Sequence, residues 1–193
     1  MTAQEETLAA LTRVLELHHI DYMIIGGLAN AVWGEPRATL DIDVTVSADS
    51  SDAARIAALL DSDFRVLVQD PVAFVDETSV LPLESHTGVR VDMIFGLLPF
   101  EREAIARANP VGVAGREIRF CTPEDLILLK IISRRPRDQA DVQGILNRRV
   151  RELDLEYLEP RIKELSALLS RPEVWNQWQA WKAELEEGPE ARS

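Results

Sequence analysis

The sequence predicts an α+β fold, in which a mixed sheet with flanking helices occupies residues 1–120 and a helical C-terminal region occupies residues 121–193. Three observations predict it. Short apolar or alternating segments bounded by glycine and proline lie only in the first part, and such segments are typical of strands. Nonpolar residues at helical spacing follow one another through the second part. No repeat or low-complexity linker separates the two parts, so we expect the helical region to pack on the core.

The first elements are a helix and a short buried strand. Leu8, Leu11 and Leu15 recur at helical spacing in residues 3–18, a segment without glycine or proline. Residues 21–27 form an apolar run closed by two glycines, which predicts a buried strand followed by a tight turn. The elements expected after it are a short helix over 28–33, a strand over 41–46, a helix over 51–60, a strand over 64–68, a hairpin with strands 79–84 and 89–95, a helix over 100–108 and a hairpin with strands 111–113 and 117–120.

The second part begins with a strong helix start at Thr122. A threonine at the N-cap, a proline at the first helical position and acids in the first turn follow one another there. The tryptophans at positions 175, 178 and 181 recur every third residue, which predicts a buried helix face, with a partner-binding or base-stacking stripe as the alternative. No strand is expected after Thr122, and helices are predicted over 123–134, 138–148, 154–169 and 172–187.

Charge is distributed unevenly along the chain. There are 21 basic and 33 acidic residues, which leaves a formal net charge of −12. A protein this acidic does not rely on its overall charge to hold nucleic acid, because lysine and arginine drive phosphate binding. Residues 130–151, however, contain seven basic and two acidic side chains, a local excess of +5. We expect any site for a polyanion to lie in that stretch.

Hydropathy and cysteine content exclude several protein classes. The apolar runs are far shorter than the ~20 residues that a membrane span requires. The first residues are acidic and amphipathic, unlike a signal peptide, so we expect a cytoplasmic protein without a membrane partner. The single cysteine, Cys121, excludes an internal disulfide framework and a cysteine-rich zinc site.

Three features of the first part point to one chemistry. Gly26 and Gly27 close a predicted strand, Asp41 and Asp43 share one face of the next strand, and Asp92 lies on a later strand. Carboxylates that face one point repel each other unless a cation lies between them, and oxygen ligands suit Mg²⁺ or Mn²⁺. Three carboxylates can hold two ions ~3.5–4 Å apart, the arrangement used in phosphoryl-type transfer. Glycines would let backbone N–H groups approach a triphosphate closely.

The ordered set of these residues resembles a known family. The two glycines, the pattern Arg37-x-Thr39-x-Asp41-x-Asp43 and the later Asp92 resemble the nucleotidyltransferase superfamily typified by DNA polymerase β. The run from Thr122 to Lys130, followed by residues 137–142, is similar to the toxin-type nucleotidyltransferases of bacterial abortive-infection and toxin–antitoxin systems. The resemblance covers about residues 20–146. It implies a nucleotidyltransferase-like mixed sheet with flanking helices.

The resemblance also implies a reaction and its participants. The reaction is metal-dependent transfer of a nucleoside monophosphate from a nucleoside triphosphate to an acceptor hydroxyl of tRNA or protein, with a cognate antitoxin as a further candidate partner. One position departs from the commonest pattern: Gly27 stands where a serine hydroxyl usually contacts a phosphate. The residues implied are Asp41, Asp43 and Asp92 as metal ligands, Gly26, Gly27, Arg37 and Thr39 as nucleotide-binding residues, Lys130 as a phosphate contact, and Asp138 or Asp141 as an additional catalytic acid.

Other functions and other roles stay open on the sequence alone. A small-molecule nucleotidyltransferase of the aminoglycoside type, a non-catalytic or antitoxin-like nucleotide-binding partner, and an interaction protein with a solvated acidic patch are the alternative functions. In the first part, the structural alternatives are an exposed edge-strand face for Asp41 and Asp43, a solvated acid for Asp92, an ion-pair partner of the aspartates for Arg37 and a strand start for Thr39. In the second part, they are a partly buried surface lysine for Lys130, a helix N-terminal acid for Asp138 and an ion pair with Arg137 for Asp141.

Overall fold

The computed structural model describes residues 1–96 and 99–186. The chain divides into two compact units. The first consists of residues 1–29 and 37–122, and the second of residues 30–36 together with the chain from Pro123 onward. Residues 30–36 therefore belong to the second unit, although they lie inside the first unit in the order of the chain.

The first part of the chain alternates helices and strands. A 3₁₀ turn (Ser50–Asp52) precedes the third helix. The elements are α1 (Ala3–Leu17), β1 (Tyr22–Ile24), α2 (Gly26–Trp33), β2 (Ile42–Val46), α3 (Ala53–Leu60), β3 (Phe64–Val66), α4 (Pro71–Thr78), β4 (Val80–Ser85), β5 (Arg90–Phe95), α5 (Pro99–Arg107), β6 (Asn109–Val113) and β7 (Arg116–Phe120).

One mixed sheet of seven strands organises the first unit. Its order is β3-β4-β5-β2-β1-β7-β6, with the pairs β2–β5 and β1–β7 parallel and the other four pairs antiparallel. The predicted α+β fold class and both predicted hairpins, β4–β5 and β6–β7, are confirmed. The central strands β2 and β5 lie side by side, so side chains 49 residues apart in sequence become direct neighbours at the middle of the sheet.

One helix of the first unit was not predicted from the sequence. Helix α4 has a clear start, because the Asp70 side chain accepts a hydrogen bond from the Ala73 N–H at 3.0 Å and Pro71 follows at the first helical position. It ends at Ser79, which adopts a left-handed conformation with φ of 58°. Only Val75 of this short helix is buried, so it shows no helical repeat of nonpolar residues for a sequence analysis to detect.

All the regular elements that the structure describes in the second unit are helices. Its helices after Thr122 are α6 (Pro123–Ile131), α7 (Pro136–Arg149), α8 (Leu155–Leu168) and α9 (Pro172–Glu186), so the absence of strands after Thr122 is confirmed for those residues. Trp178 and Trp181 are 0% and 6% exposed, which confirms the buried tryptophan face of α9. The ammonium of Lys163 lies 4.8 Å from the centre of the half-buried Trp175 ring. Within the described residues, 1–96 and 99–186, no helix is long and apolar enough to cross a membrane.

Candidate active site

Two of the predicted acids, Asp43 and Asp92, lie side by side at the centre of the sheet. The parallel strands β2 and β5 pair them in register. Ile42 and Val44 on one strand, like Val91 on the other, are 0% exposed and face the core. Since side chains alternate along a strand, both aspartates point to the opposite face, ~4.8 Å apart at the backbone. Both are only partly buried, so their carboxylates are accessible for binding a ligand.

The carboxylate of Asp43 lies directly against Gly26. Gly26 has φ of +65°, and a Cβ atom at this position would overlap the Asp43 carboxylate. The Ile25 N–H donates to the Asp43 carbonyl at 3.0 Å, which ties the end of β1 to β2 at this point. The predicted tight turn is corrected here: Gly26 and Gly27 are the first residues of α2. Glycine at position 26 is therefore required by both its backbone conformation and the space that Asp43 occupies.

Replacing Gly26 with alanine should both destabilise the fold and displace Asp43. We expect the free energy of unfolding to fall by about 2–5 kcal/mol, since a left-handed alanine costs ~1–2 kcal/mol and overpacking adds ~1–3 kcal/mol. Chemical denaturation measures the change. Gly115→Ala is the matched control, because Gly115 also has positive φ, at +81°, but nothing lies within 4 Å of an added Cβ. An equal loss in the two variants would contradict the close packing of Gly26 on Asp43.

The segment before β2 carries three more of the predicted residues. A Cβ atom on Gly27 would lie 2.5 Å from Thr39 Oγ1, so this threonine packs directly on the second glycine. Gln4 of α1 donates its Nε2 to the Thr39 carbonyl at 2.7 Å, and Thr39 Oγ1 donates to the Asp41 carbonyl at 3.4 Å. Arg37 is half-buried at the beginning of this segment. Gly26, Gly27, Thr39 and Asp43 thus form one continuous surface.

Asp41 is exposed and precedes the strand that carries Asp43. The predicted strand over 41–46 begins at Ile42, so Asp41 precedes β2 and is exposed. Across the described ranges 1–96 and 99–186, no three histidine, cysteine, aspartate or glutamate side chains converge into a metal-binding group. The carboxylates of Asp43 and Asp92, on neighbouring strands in register, nevertheless have the donor chemistry that suits a hard divalent cation. Asp43 and Asp92 are the residues that would hold a bound Mg²⁺ or Mn²⁺.

Three other predicted residues meet inside the second unit. The Lys130 ammonium lies 2.9 Å from Asp138 Oδ1 and 2.8 Å from Asp141 Oδ2. The side chains of Lys130 and Asp141 are only 8% and 4% exposed, so this is a buried cluster of one cation and two anions. We call these three residues the Lys130 cluster. It joins the C-terminal half of α6 to the first two turns of α7.

Ser133 completes the surroundings of Asp138 and was not singled out in the sequence. Its hydroxyl donates to Asp138 Oδ2 at 2.7 Å. Burial by itself raises the pKa of Asp138, but the hydrogen bonds from Ser133 and Lys130, together with the charges of Lys130 and Arg135, outweigh it and hold the pKa below its ordinary value. Asp138 is therefore ionised in the folded protein at neutral pH. No sequence pattern marks a serine that lies in the link between two helices as a partner of this acid.

Comparison with known proteins identifies a family and agrees with the fold. A family model described as "Nucleotidyltransferase of unknown function (DUF6036)" matches residues 5–187. No curated protein is similar enough in sequence to match.

Several solved structures share the fold at low sequence identity. An antigenic nucleotidyltransferase-like protein from Paracoccidioides brasiliensis has a TM-score of 0.55 at 16% identity, covering 93% of this chain and 94% of that one. The antibiotic-resistance factor ANT(2'')-Ia has a TM-score of 0.52 at 14% identity, with 95% of each chain covered. The lincomycin-bound lincosamide antibiotic adenylyltransferase LnuA has a TM-score of 0.51 at 15% identity, covering 75% of this chain and 96% of that one. At these identities the similarity establishes the fold.

Proposed function

The chain belongs to the nucleotidyltransferase family of unknown function DUF6036, and from that premise we propose that it transfers a nucleoside monophosphate from a nucleoside triphosphate to a hydroxyl of tRNA or protein. Family membership makes it a transferase of phosphorus-containing groups. The observation that carries the proposal is the in-register pair of Asp43 and Asp92 beside Gly26. The acceptor and a cognate antitoxin partner follow from the resemblance of residues 122–142 to toxin-type enzymes.

In the proposed reaction, the residues of the first unit bind the triphosphate and activate the acceptor. Asp41, Asp43 and Asp92 are the ligands for Mg²⁺ or Mn²⁺, which when bound neutralises phosphate charge. Backbone N–H groups at Gly26 and Gly27 bind phosphate oxygens at the start of α2, where the helix dipole favours negative charge. The acceptor oxygen forms a bond to the α-phosphorus, the bond to the β-bridging oxygen breaks, and pyrophosphate leaves. Asp92 accepts the proton of the acceptor hydroxyl. Thr39 and Arg37 position the phosphates.

The residues of the Lys130 cluster are proposed to contact the phosphates and to supply an additional acid. Lys130 is the phosphate contact, and Asp138 or Asp141 is the additional acid. Because the Lys130 ammonium already contacts two carboxylates, its structural contribution has to be separated experimentally from any contact with phosphate. A variant that restores stability without restoring the lysine makes that separation, as described in the Discussion.

A small-molecule acceptor is the second candidate. Two proteins of this fold are described as an antibiotic-resistance factor and as a lincosamide antibiotic adenylyltransferase. A hydroxyl of an antibiotic would be attacked by the same chemistry, with the same residues around the triphosphate. The two candidates therefore differ only in the acceptor, and an acceptor screen distinguishes them.

A labelling experiment tests the proposal. ATP, CTP, GTP and UTP labelled at the α-phosphate are incubated with the protein and Mg²⁺, together with total tRNA, total bacterial protein, or a panel of aminoglycosides and lincomycin. We expect label on tRNA or protein from one of the nucleotides, and none from the Asp41→Ala variant. Label on an antibiotic would support the second candidate. If the wild type labels nothing that Asp41→Ala does not, the proposed transfer to these acceptors is contradicted.

A further inference from the structure

Three exposed arginines follow one another where α7 begins. Arg134, Arg135 and Arg137 are all exposed, and the Arg135 side chain is 86% accessible to solvent. We call residues 134–137 the arginine turn. Arg134 and Arg135 lie in the link between α6 and α7, and Arg137 is the second residue of α7. In a chain with a net charge of −12, three exposed cations within four residues are a marked local departure.

Side chains hold the backbone of this link firmly. Gln139 Nε2 donates to the carbonyl oxygen of Ser133 at 2.6 Å and more weakly to that of Ile131 at 3.4 Å. Arg171 Nη1 donates to the Ile132 carbonyl at 2.6 Å. These bonds satisfy carbonyl groups that the end of α6 leaves open. A turn held in this way presents its arginines to a ligand with little further loss of backbone entropy.

The Lys130 cluster also restrains the link between α6 and α7, through contacts between partly or fully buried side chains. Asp138 is joined to Lys130 at 2.9 Å and to the Ser133 hydroxyl at 2.7 Å, so the first turn of α7 is fixed to α6. The Ser133 hydroxyl also accepts a hydrogen bond from the Arg135 N–H at 3.2 Å. Buried side chains thus position the arginine turn, although the arginine side chains themselves are exposed.

The acids near the arginine turn are engaged by other cations. Asp138 and Asp141 both contact Lys130, and the closest approach of Arg135 to Asp138 is 4.0 Å. Glu173 contacts Arg171 at 2.9 Å. The hydrogen bond from Arg171 lowers the pKa of Glu173, with a smaller contribution from the charge of Arg134. The Arg135 guanidinium therefore makes only a long ion pair with Asp138.

We infer that the arginine turn binds the phosphate backbone of an RNA acceptor. The inference rests on the proposed function, because it chooses between the two acceptor classes named there. RNA carries both a terminal hydroxyl that can receive a nucleotide and a chain of phosphates, whereas a protein hydroxyl offers no polyanion. Arginine forms paired hydrogen bonds with phosphate oxygens, and exposed arginines on a fixed turn suit repeated phosphate contacts. Because the chain as a whole has a net charge of −12, its overall charge gives RNA no general attraction to the protein.

Binding of a fluorescently labelled tRNA transcript, measured without nucleotide, tests the inference. The variant Arg134→Gln/Arg135→Gln/Arg137→Gln removes three charges and changes the net charge from −12 to −15. We expect its dissociation constant to rise on the order of 10- to 100-fold at ~100 mM salt. The slope of log affinity against log salt should become shallower by about two to three, roughly one for each lost phosphate contact. Its melting temperature should be unchanged, since all three side chains are exposed.

A matched variant separates the turn from overall charge. Arg13→Gln/Arg55→Gln/Arg65→Gln has the same net charge of −15, and each of these exposed arginines is paired with an acid, Asp63, Asp52 and Glu84 respectively. We expect it to bind the transcript within about threefold of the wild type, because rearranging surface ion pairs has small effects.

The outcomes distinguish this inference from the proposed function. Normal tRNA binding by the arginine-turn variant, or equal weakening in both triple variants, would overturn the inference. Failure of the wild type to bind the transcript even at ~50 mM salt would also overturn it. A wild type that binds tRNA through the turn but transfers no labelled nucleotide would leave the inference standing and contradict the proposed function.

Discussion

Asp92→Asn should lower the rate of nucleotide transfer on the order of 10²- to 10³-fold or more while leaving the folded protein at least as stable as the wild type. The expected loss of rate follows from the position of this carboxylate, in register with Asp43 on the partly buried face of the sheet. Asparagine has nearly the same shape, so packing is kept. Asp92 is only partly buried, so the asparagine side chain keeps its contact with solvent and the exchange costs no stability.

Two measurements together check this prediction. Transfer of label from the α-labelled nucleotide gives the rate, and thermal unfolding with and without Mn²⁺ and a non-hydrolysable nucleotide gives the binding. The wild type should be stabilised by the two ligands together, and Asp92→Asn much less. Glu84→Gln on the neighbouring strand β4 makes the same chemical change in a side chain that is paired with Arg65, and it should behave like the wild type. An Asp92→Asn variant with a tenth or more of the wild-type rate would remove this residue from the reaction.

Lys130→Met should lower the free energy of unfolding by about 3–5 kcal/mol, because it removes the cation from the buried carboxylate of Asp141 and the half-buried carboxylate of Asp138. The loss should shrink as the pH falls toward about 4. In the wild type, the depressed pKa of Asp138 contributes stability that is present above the unfolded-state pKa and is lost as pH falls through the folded-state pKa. In the variant, protonation of Asp138 at that pH removes one of the two charges that the lysine neutralised. Urea denaturation at several pH values measures both effects.

Two further variants show whether the loss in Lys130→Met comes from the buried charges or from the reaction. Lys182→Met breaks a half-exposed pair with Glu159 at 2.8 Å and should cost at most about 1 kcal/mol. Lys130→Met/Asp138→Asn/Asp141→Asn removes the acids with the lysine and should recover most of the stability. If this restored variant remains inactive, the cluster has a function in the reaction beyond folding. If it regains the wild-type rate, the proposed phosphate contact of Lys130 is wrong.

The elements of the first unit could be predicted well where local patterns were strong. The alternation of residues 89–95 and the turn at His86-Thr87-Gly88 predicted the β4–β5 hairpin, and the structure pairs the two strands antiparallel. The weakly amphipathic α4 was missed because one buried valine gives no periodicity. The strand expected over 41–46 loses its first residue, Asp41, and this single position decides whether a third carboxylate lies on the sheet.

The site could be predicted as a set of residues, but its internal pairing could not. The sequence suggested a helix-dipole role for Asp138 and an ion pair with Arg137 for Asp141, both local explanations within one helix. The structure keeps Asp138 in the first turn of its helix and also joins both acids to Lys130 on the preceding helix. Ser133 and Gln139, which hold the link between these helices, carry no recognisable pattern. Such contacts depend on how two helices pack, which neighbouring residues in the chain do not specify.

The sequence by itself determined the class of fold, the glycine pair, the aspartates and the local excess of positive charge, because each of these depends on residue type and on spacing along the chain. Only the tertiary structure decided that Asp43 meets Asp92 in register, that Gly26 leaves room for the Asp43 carboxylate, and that Lys130 lies between two acids. The physical reason is that strand register and helix pairing are selected by burial of nonpolar surface across the whole unit. Distant residues become neighbours through that selection, and the chemistry of this protein depends on those neighbours.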